Sequence, residues 1–246
     1  MAARGWALIT GAARRLGQAL AVRAAEAGYD VVVHARSGDV SQTLALVQAK
    51  GVQALALHAD LADPTACARL VAEAPGPLSL LVNCASIFAD DRLDSLSAAD
   101  LDTAFATNTR APILLSQAFA ARLPPDWNGL IVNMLDQRVL RPDPRFFSYT
   151  VSRAALWMAT QTMAQALAPR IRVNAIGPGP TLASVHQSEA DFAAEAQGTL
   201  LARPVGAREI ALALGYLIEA EAVTGQMIAV DSGQHLGWRT PDVIGE

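Results

Sequence analysis

The chain has 246 residues, of which 52% are apolar and only 17% charged, and its formal net charge is −4. This length and apolar content suit one large core and exclude a disordered chain; the lack of a basic stripe argues against a nucleic-acid partner, and no apolar run reaches the roughly 18 residues of a membrane span. Two cysteines, Cys67 and Cys84, read as buried free thiols, and with no leader-like stretch ahead of the first strand they fit a reducing cytoplasm.

WALIT (6–10) is a short apolar run ending at a glycine and predicts a buried strand. An alanine-rich helix follows over 15–27, stopped by Gly28, and DVVVHA (30–35) is the second strand. Residues 38–50 predict a helix starting near Asp39 or Ser41, and VQALALHADL (52–61) a third strand. Pro64 suits the first turn of a helix over 64–73. LSLLVNCAS (78–86) is a fourth strand, 97–122 a long helical region, and GLIVNML (129–135) a fifth strand. Another long helix covers 148–168. RIRVNAIGPG (170–179), a helix over 207–219 and GQMIAVDSG (225–233) complete the series.

Strand and helix alternate, and the strands are apolar throughout, as in a sheet covered on both faces. The expected fold is α/β: a single doubly wound Rossmann-type domain over 1–246, with about seven mostly parallel strands flanked by helices. The stretch 180–205, polar and small with room for a short helix, lies beyond a strand's carboxyl end and is read as a substrate loop.

The first strand runs into TGAARRLG (10–17). Gly11 suits a tight turn and Gly17 a close approach at the helix start, where free amides meet a pyrophosphate. Gly11, Arg14, Arg15, Leu16 and Gly17 are therefore candidate cofactor contacts. The second strand ends HARS (34–37). A carboxylate at this tip takes the ribose hydroxyls of NAD. Arg36 and Ser37 instead offer donors that suit the extra ribose phosphate of NADP, and Arg14 adds positive potential. His34 is placed on the adenosine side, or is a plain strand-end residue; Asp60 and Leu61 are placed at the adenine edge and wall.

Further along stand NCASIF (83–88), TNTRAP (107–112), IVNMLD (131–136), YTVSR (149–153) and GPGPT (177–181). With the glycine turn, they resemble the short-chain dehydrogenase/reductase family over nearly the whole chain, and within it the pteridine reductase branch, including dihydromonapterin reductases. TGAARRLG stands for the family pattern TGxxxGxG, with Arg15 at the middle glycine as in pteridine reductases. The resemblance implies that Arg15 faces both the cofactor phosphate and a pterin. NCAS stands for NNAG; it implies that Asn83 ties neighbouring strands and that Ala85 and Ser86 line the cofactor cleft. Ser86 would bond ligand or phosphate, and Phe88 would stack on a flat pterin with nicotinamide on its other face. Asn108 would hold a proton-relay water. Pro178 and Gly179 would border nicotinamide, with Thr181 on its carboxamide. The stretch GQMIAVDSGQHLGW (225–238) resembles the family's last strand and tail, a region that packs against neighbouring subunits in many relatives, which implies a homotetramer.

The family's catalytic YxxxK appears as Tyr149 and Arg153, a spacing that puts both on one helical face. Asp136 stands where most of the family carries serine, another mark of pteridine reductases. The implied chemistry is hydride transfer from NADPH to a dihydropterin or dihydrofolate, with protonation through Tyr149 and water and Asp136 orienting Tyr149 or bonding an amino-pterin. Arginine keeps the charge and donors of lysine but gives up a proton poorly. The catalytic set is thus Tyr149, Asp136, Arg153 and Asn108; the substrate set is Arg15, Ser86, Phe88, Asp136 and Tyr149. An NADPH-dependent carbonyl reductase is the alternative, opposed by Asp136; a non-catalytic cofactor-binding relative is the third reading, drawn from Arg153. His34, His58, His186 and His235 show no metal-ligand spacing. Trp157 and Met158 read as core or interface groups, and His235 and Trp238 as a cover over a neighbouring pocket.

Overall fold

The computed structural model describes residues 4–181 and 187–238. Seven strands form one sheet: β1 (Trp6–Ile9), β2 (Asp30–Ala35), β3 (Ala54–His58), β4 (Leu78–Asn83), β5 (Gly129–Met134), β6 (Ile171–Pro178) and β7 (Met227–Val230). Their order is β3-β2-β1-β4-β5-β6-β7, and the paired neighbours run parallel. The helices are α1 (Arg15–Glu26), α2 (Ser41–Gln48), α3 (Pro64–Ala72), α4 (Ala98–Phe105), α5 (Ala111–Arg122), α6 (Phe147–Leu167), α7 (Glu189–Gln197) and α8 (Ala207–Glu219).

Strand periodicity explains why the strands are apolar at consecutive positions. Ala7 and Ile9 face one core cluster, shared with Leu20 of α1 and Leu214 of α8. Trp6 and Leu8 face the other, shared with Leu70 of α3 and Phe119 of α5. The same split places Val31 and Val33 in the first cluster and Val32 in the second. A strand covered on both faces turns both sets of alternating side chains into a core.

The long helical region over 97–122 is interrupted. A π-helical turn, Ala106–Arg110, separates α4 from α5, and the N–H of Ala111 reaches back to Ala106 O. Pro112 stands at the start of α5 and has no N–H to give, so a regular helix through this point lacks a bond. The wider turn absorbs the defect and carries Asn108, fully buried, at the bend. Within the stretch read as a substrate loop, α7 starts at a Ser188 cap that accepts from Asp191 N; residues 182–186, His186 among them, lie outside the described residues. One burial expectation is corrected: Cys84 is half-buried, because the chain leaves the sheet after Asn83. Met158, read as core or interface, is 63% exposed on α6 and so lies outside the core. Among the described residues, no helix is long and apolar enough to cross a membrane.

Candidate active site

The strand order reverses between β1 and β4, and ligands in such sheets bind beyond the strand ends at this point. Gly11 turns the chain there with φ +66; a Cβ would stand 2.8 Å from Ala85 Cα, so no side chain fits. Arg15 also takes a left-handed backbone, φ +54, a conformation that costs a non-glycine residue about 1–3 kcal/mol and that clusters at ligand sites. No side chain caps α1 at Arg14, which leaves its first-turn amides open to an anion.

Residues that the sequence reading passed over hold this turn. Thr43 Oγ1 lies 3.0 Å from Ala12 O and 3.1 Å from Ala13 O, and accepts from Gln18 Nε2 at 3.0 Å. Thr10 Oγ1 accepts from Cys84 N at 2.9 Å and Ala85 N at 3.1 Å, joining the ends of β1 and β4. His34, 1% exposed, lies beneath the turn. Its Nδ1 accepts from Gly11 N at 3.3 Å, and Nε2 donates to Ala59 O at 3.1 Å. Burial pulls its pKa below the ordinary value. His34 thus holds the glycine turn from below.

Asp136 leaves the end of β5 and Tyr149 lies in the first turn of α6. The Tyr149 hydroxyl donates to Asp136 Oδ2 at 3.0 Å. Asp136 Oδ1 accepts from Arg138 N at 2.9 Å, capping a short 3-10 turn, Gln137–Val139. One helical turn beyond Tyr149, Arg153 places its Cζ 5.3 Å from the Tyr149 ring centroid. Arg153 is 2% exposed, and its Nε and Nη1 have no hydrogen-bond partner. Burial raises the Tyr149 pKa, the Asp136 charge adds to the rise, and the Arg153 charge opposes it. Burial likewise raises Asp136, against Arg138 and Arg153. Beside them, burial pushes the Cys84 thiol up to about 11, again against the Arg153 charge.

Phe88 lies against this group. Its ring meets Tyr149 edge-on, with centroids 4.7 Å apart, and stacks on Phe146 at 4.2 Å. Asp91 fixes the segment: its Oδ1 accepts from Ser148 N at 3.0 Å, Oδ2 accepts from the Ser148 hydroxyl, and its carbonyl accepts from Phe147 N at 3.2 Å. The chain after β4 is thereby clamped to the start of α6. Phe146, Arg138 and Asp91 were not anticipated. The Phe-Phe pair before Ser-Tyr and the arginine two places after Asp136 were the signals available.

The remaining candidates fall into place around this centre. Asn83 Nδ2 donates to Asn133 Oδ1 at 2.8 Å, and Asn133 Nδ2 to Thr160 Oγ1 at 2.8 Å, so β4, β5 and α6 are joined. Asn108 gives its side-chain amide to Ile87 O and Ser152 Oγ and accepts from Ile87 N; that amide is committed to holding the loop and α6. Ser86 is exposed, with its hydroxyl 3.3 Å from Ile87 O. Thr181 directs its hydroxyl to Gly179 O at 3.0 Å. Pro178 ends β6, and Gly179 packs so closely on Asp231 that a Cβ would come within 2.6 Å of its Cα. Arg14, Arg36 and Ser37 are exposed around the turn, as is Asp60, while Leu61 is buried in the core. Gly17 packs on Gly11, and Leu16 is half-buried beside the turn. Trp157 is half-buried, and His235 pairs with Asp231 at 2.6 Å. No metal-ligand group is found among the described residues.

These features fit a dinucleotide. An uncapped helix end offers amides to its phosphates, exposed arginines ring that end, and the buried, unpaired Nε and Nη1 of Arg153 call for oxygen acceptors beside Tyr149.

Comparison with known proteins agrees with that geometry. The crystal structure of FolM alternative dihydrofolate reductase 1 from Brucella canis, complexed with NADP, matches with a TM-score of 0.93 and 43% identity, covering 99% of each chain. A short-chain type dehydrogenase/reductase from Picea abies is 31% identical over 93% of this chain and 91% of its own. The 3-oxoacyl-[acyl-carrier-protein] reductase FabG of Staphylococcus aureus is 30% identical over 94% and 98%. The short chain dehydrogenase family model matches residues 5–193. The chain belongs to the short-chain dehydrogenase family.

Proposed function

We propose that this oxidoreductase uses NADPH to reduce a dihydropterin or dihydrofolate to its tetrahydro form. The observation that carries the reading is the Phe88 ring standing edge-on to Tyr149, 4.7 Å away, with Asp136 bonded to the same hydroxyl. An aromatic wall beside a proton donor and a carboxylate suits a flat, nitrogen-rich ring better than a small ketone. The likeness to a reductase named for dihydrofolate, complexed with NADP, supports both substrate class and cofactor.

Bound NADPH supplies the hydride. Reduction of a ring C=N bond places that hydride on carbon and a proton on nitrogen, so a donor beside the nitrogen is needed. Tyr149 holds a proton on its hydroxyl, kept there by burial and the neighbouring carboxylate. Asp136 aims that hydroxyl and can return a proton through water. Arg153 supports the tyrosinate that forms and turns its unpaired donors to the nicotinamide ribose. Its guanidinium does not pass protons, so resupply falls to Asp136 and water. Arg15, Arg14, Arg36 and Ser37 hold the phosphates, and Ser86 takes ligand or phosphate. Asn108 fixes the loop carrying Phe88 and the helix carrying Tyr149.

A homotetramer accompanies this reading. Ile113 on α5, Val151 and Met158 on α6, Leu212 and Tyr216 on α8 and Trp238 in the tail are exposed apolar side chains that a neighbouring subunit would cover. Free Cys67 and Cys84 suit the cytoplasm.

NADPH oxidation with dihydromonapterin, dihydrobiopterin, dihydrofolate and simple ketones tests the reading. We expect turnover of a reduced pterin or folate, with Phe88→Ala losing it and keeping NADPH affinity. A ketone as the better substrate, with pterin turnover indifferent to Phe88→Ala, sinks it. The 30% identity to a 3-oxoacyl reductase makes a carbonyl reductase the second reading.

A further inference from the structure

The site carries one cation that neither hydride transfer nor the cofactor cradle uses. Arg138 lies two residues beyond Asp136, with 13% of its side chain exposed. Its Cζ is 5.3 Å from the Phe146 centroid and 5.8 Å from that of Phe88. Its bond to Asp136, Nη1 to Oδ2, is long at 3.5 Å, and its Nε is buried without a partner. A desolvated guanidinium is costly unless its donors are filled. Asp136 fills them only in part: its one side-chain contact with Arg138 is that long approach to Oδ2, which also takes the Tyr149 hydroxyl at 3.0 Å, while Oδ1 takes the Arg138 backbone N–H at 2.9 Å. Arg153 is also buried beside Tyr149, and the Asp143 carboxylate, which feels the Arg138 charge, is itself paired with Arg145 at 2.6 Å.

We propose that Arg138 is a specificity-determining residue that donates to an oxygen acceptor of the substrate, either a ring oxo group or a tail carboxylate. The assignment rests on the pterin or folate reading above, because it takes the Phe88–Phe146 pair as the wall beside the substrate ring. Asp136, next to it, accepts from a ring N–H or amino group. The two side chains together select a ligand that presents an acceptor near a donor. A guanidinium does this with a planar fork that a lysine lacks.

The test follows NADPH oxidation by wild type and R138Q with dihydrobiopterin, which has no carboxylate, and dihydrofolate, which has. Binding of folate and of its analogue with a ring amino group in place of the oxo group is measured in parallel. We expect KM in R138Q to rise about 10- to 100-fold, with a much smaller change in kcat and unchanged NADPH affinity. A rise for both substrates, with a narrowed preference for oxo over amino, assigns the ring oxo group. A rise for dihydrofolate alone assigns the tail carboxylate. R138M serves the same test where R138Q does not fold, as judged by Tm and NADPH binding. An unchanged KM for both substrates, or a loss confined to kcat, overturns the proposal and leaves the functional reading standing. Failure of wild type to turn over dihydrobiopterin, dihydrofolate or dihydromonapterin overturns both.

Discussion

The hydroxyl of Tyr149 donates to Oδ2 of Asp136 across 3.0 Å, inside a site that leaves Tyr149 only 7% exposed. The proton that a substrate needs is therefore held between two oxygens, and its acidity is set by both residues. Burial raises the Tyr149 pKa first, and the Asp136 charge raises it further.

Tyr149 donates only while protonated, so turnover stays level on the alkaline side past the ordinary tyrosine value of 10.0. Asp136→Asn removes the negative charge. The Tyr149 pKa falls and the alkaline limb of kcat moves to lower pH. Tyr149→Phe lowers kcat by about 100-fold or more, the usual contribution of a placed acid, with NADPH still bound. A pH–rate profile of Asp136→Asn that overlays wild type removes Asp136 from this role.

Arg153→Met leaves Tyr149 without its nearby cation and deletes the unpaired donors. We expect NADPH affinity and kcat each to fall about 10-fold or more. Arg153→Lys restores charge and a proton-releasing group, and keeps activity within several-fold. Fluorescence titration of NADPH and steady-state rates measure both. Equal activity of wild type and Arg153→Met ends the case for Arg153.

Cofactor choice rests on the exposed tip of β2. Arg36→Ala removes the guanidinium placed for the extra phosphate of NADPH, so the ratio of kcat/KM for NADPH over NADH should fall about 10- to 100-fold. The same ratio in both proteins places phosphate recognition elsewhere.

His34 links stability to pH. Its pKa in the fold lies below the ordinary 6.5, through burial first. The unfolded chain therefore takes up this proton before the folded one. The contribution of His34 to stability is complete above pH 6.5 and is lost as pH falls toward the folded value. A proton on Nδ1 also displaces Gly11 N, so NADPH affinity weakens at lower pH, where the folded protein itself takes up that proton. Urea unfolding at several pH values should show a shallower acid loss for His34→Gln. An identical slope in the variant assigns the acid sensitivity to other groups.

Much of the architecture was legible because each strand stands between two covered faces. Consecutive apolar residues in DVVVHA had to be buried on both sides, and only an alternating strand–helix chain provides that cover. The contact between Tyr149 and Arg153 followed from their spacing on one helix. Asp136 was placed through resemblance, and the structure sets its carboxylate 3.0 Å from the Tyr149 hydroxyl.

What escaped the sequence lies in contacts between segments far apart in the chain. Asp91 belongs to no motif singled out in the sequence, yet it clamps Ser148 and so sets Phe88 against Tyr149. His34 reads as a strand tip, yet the turn after β1 folds over it. The π turn at Asn108 answers a missing N–H at Pro112 but is held by Ile87 and Ser152. Periodicity reports which side of an element is buried, a local consequence of backbone geometry. It is silent on which distant polar group waits there, because that partner is chosen by burial: a donor removed from water takes whichever acceptor the packing brings within reach.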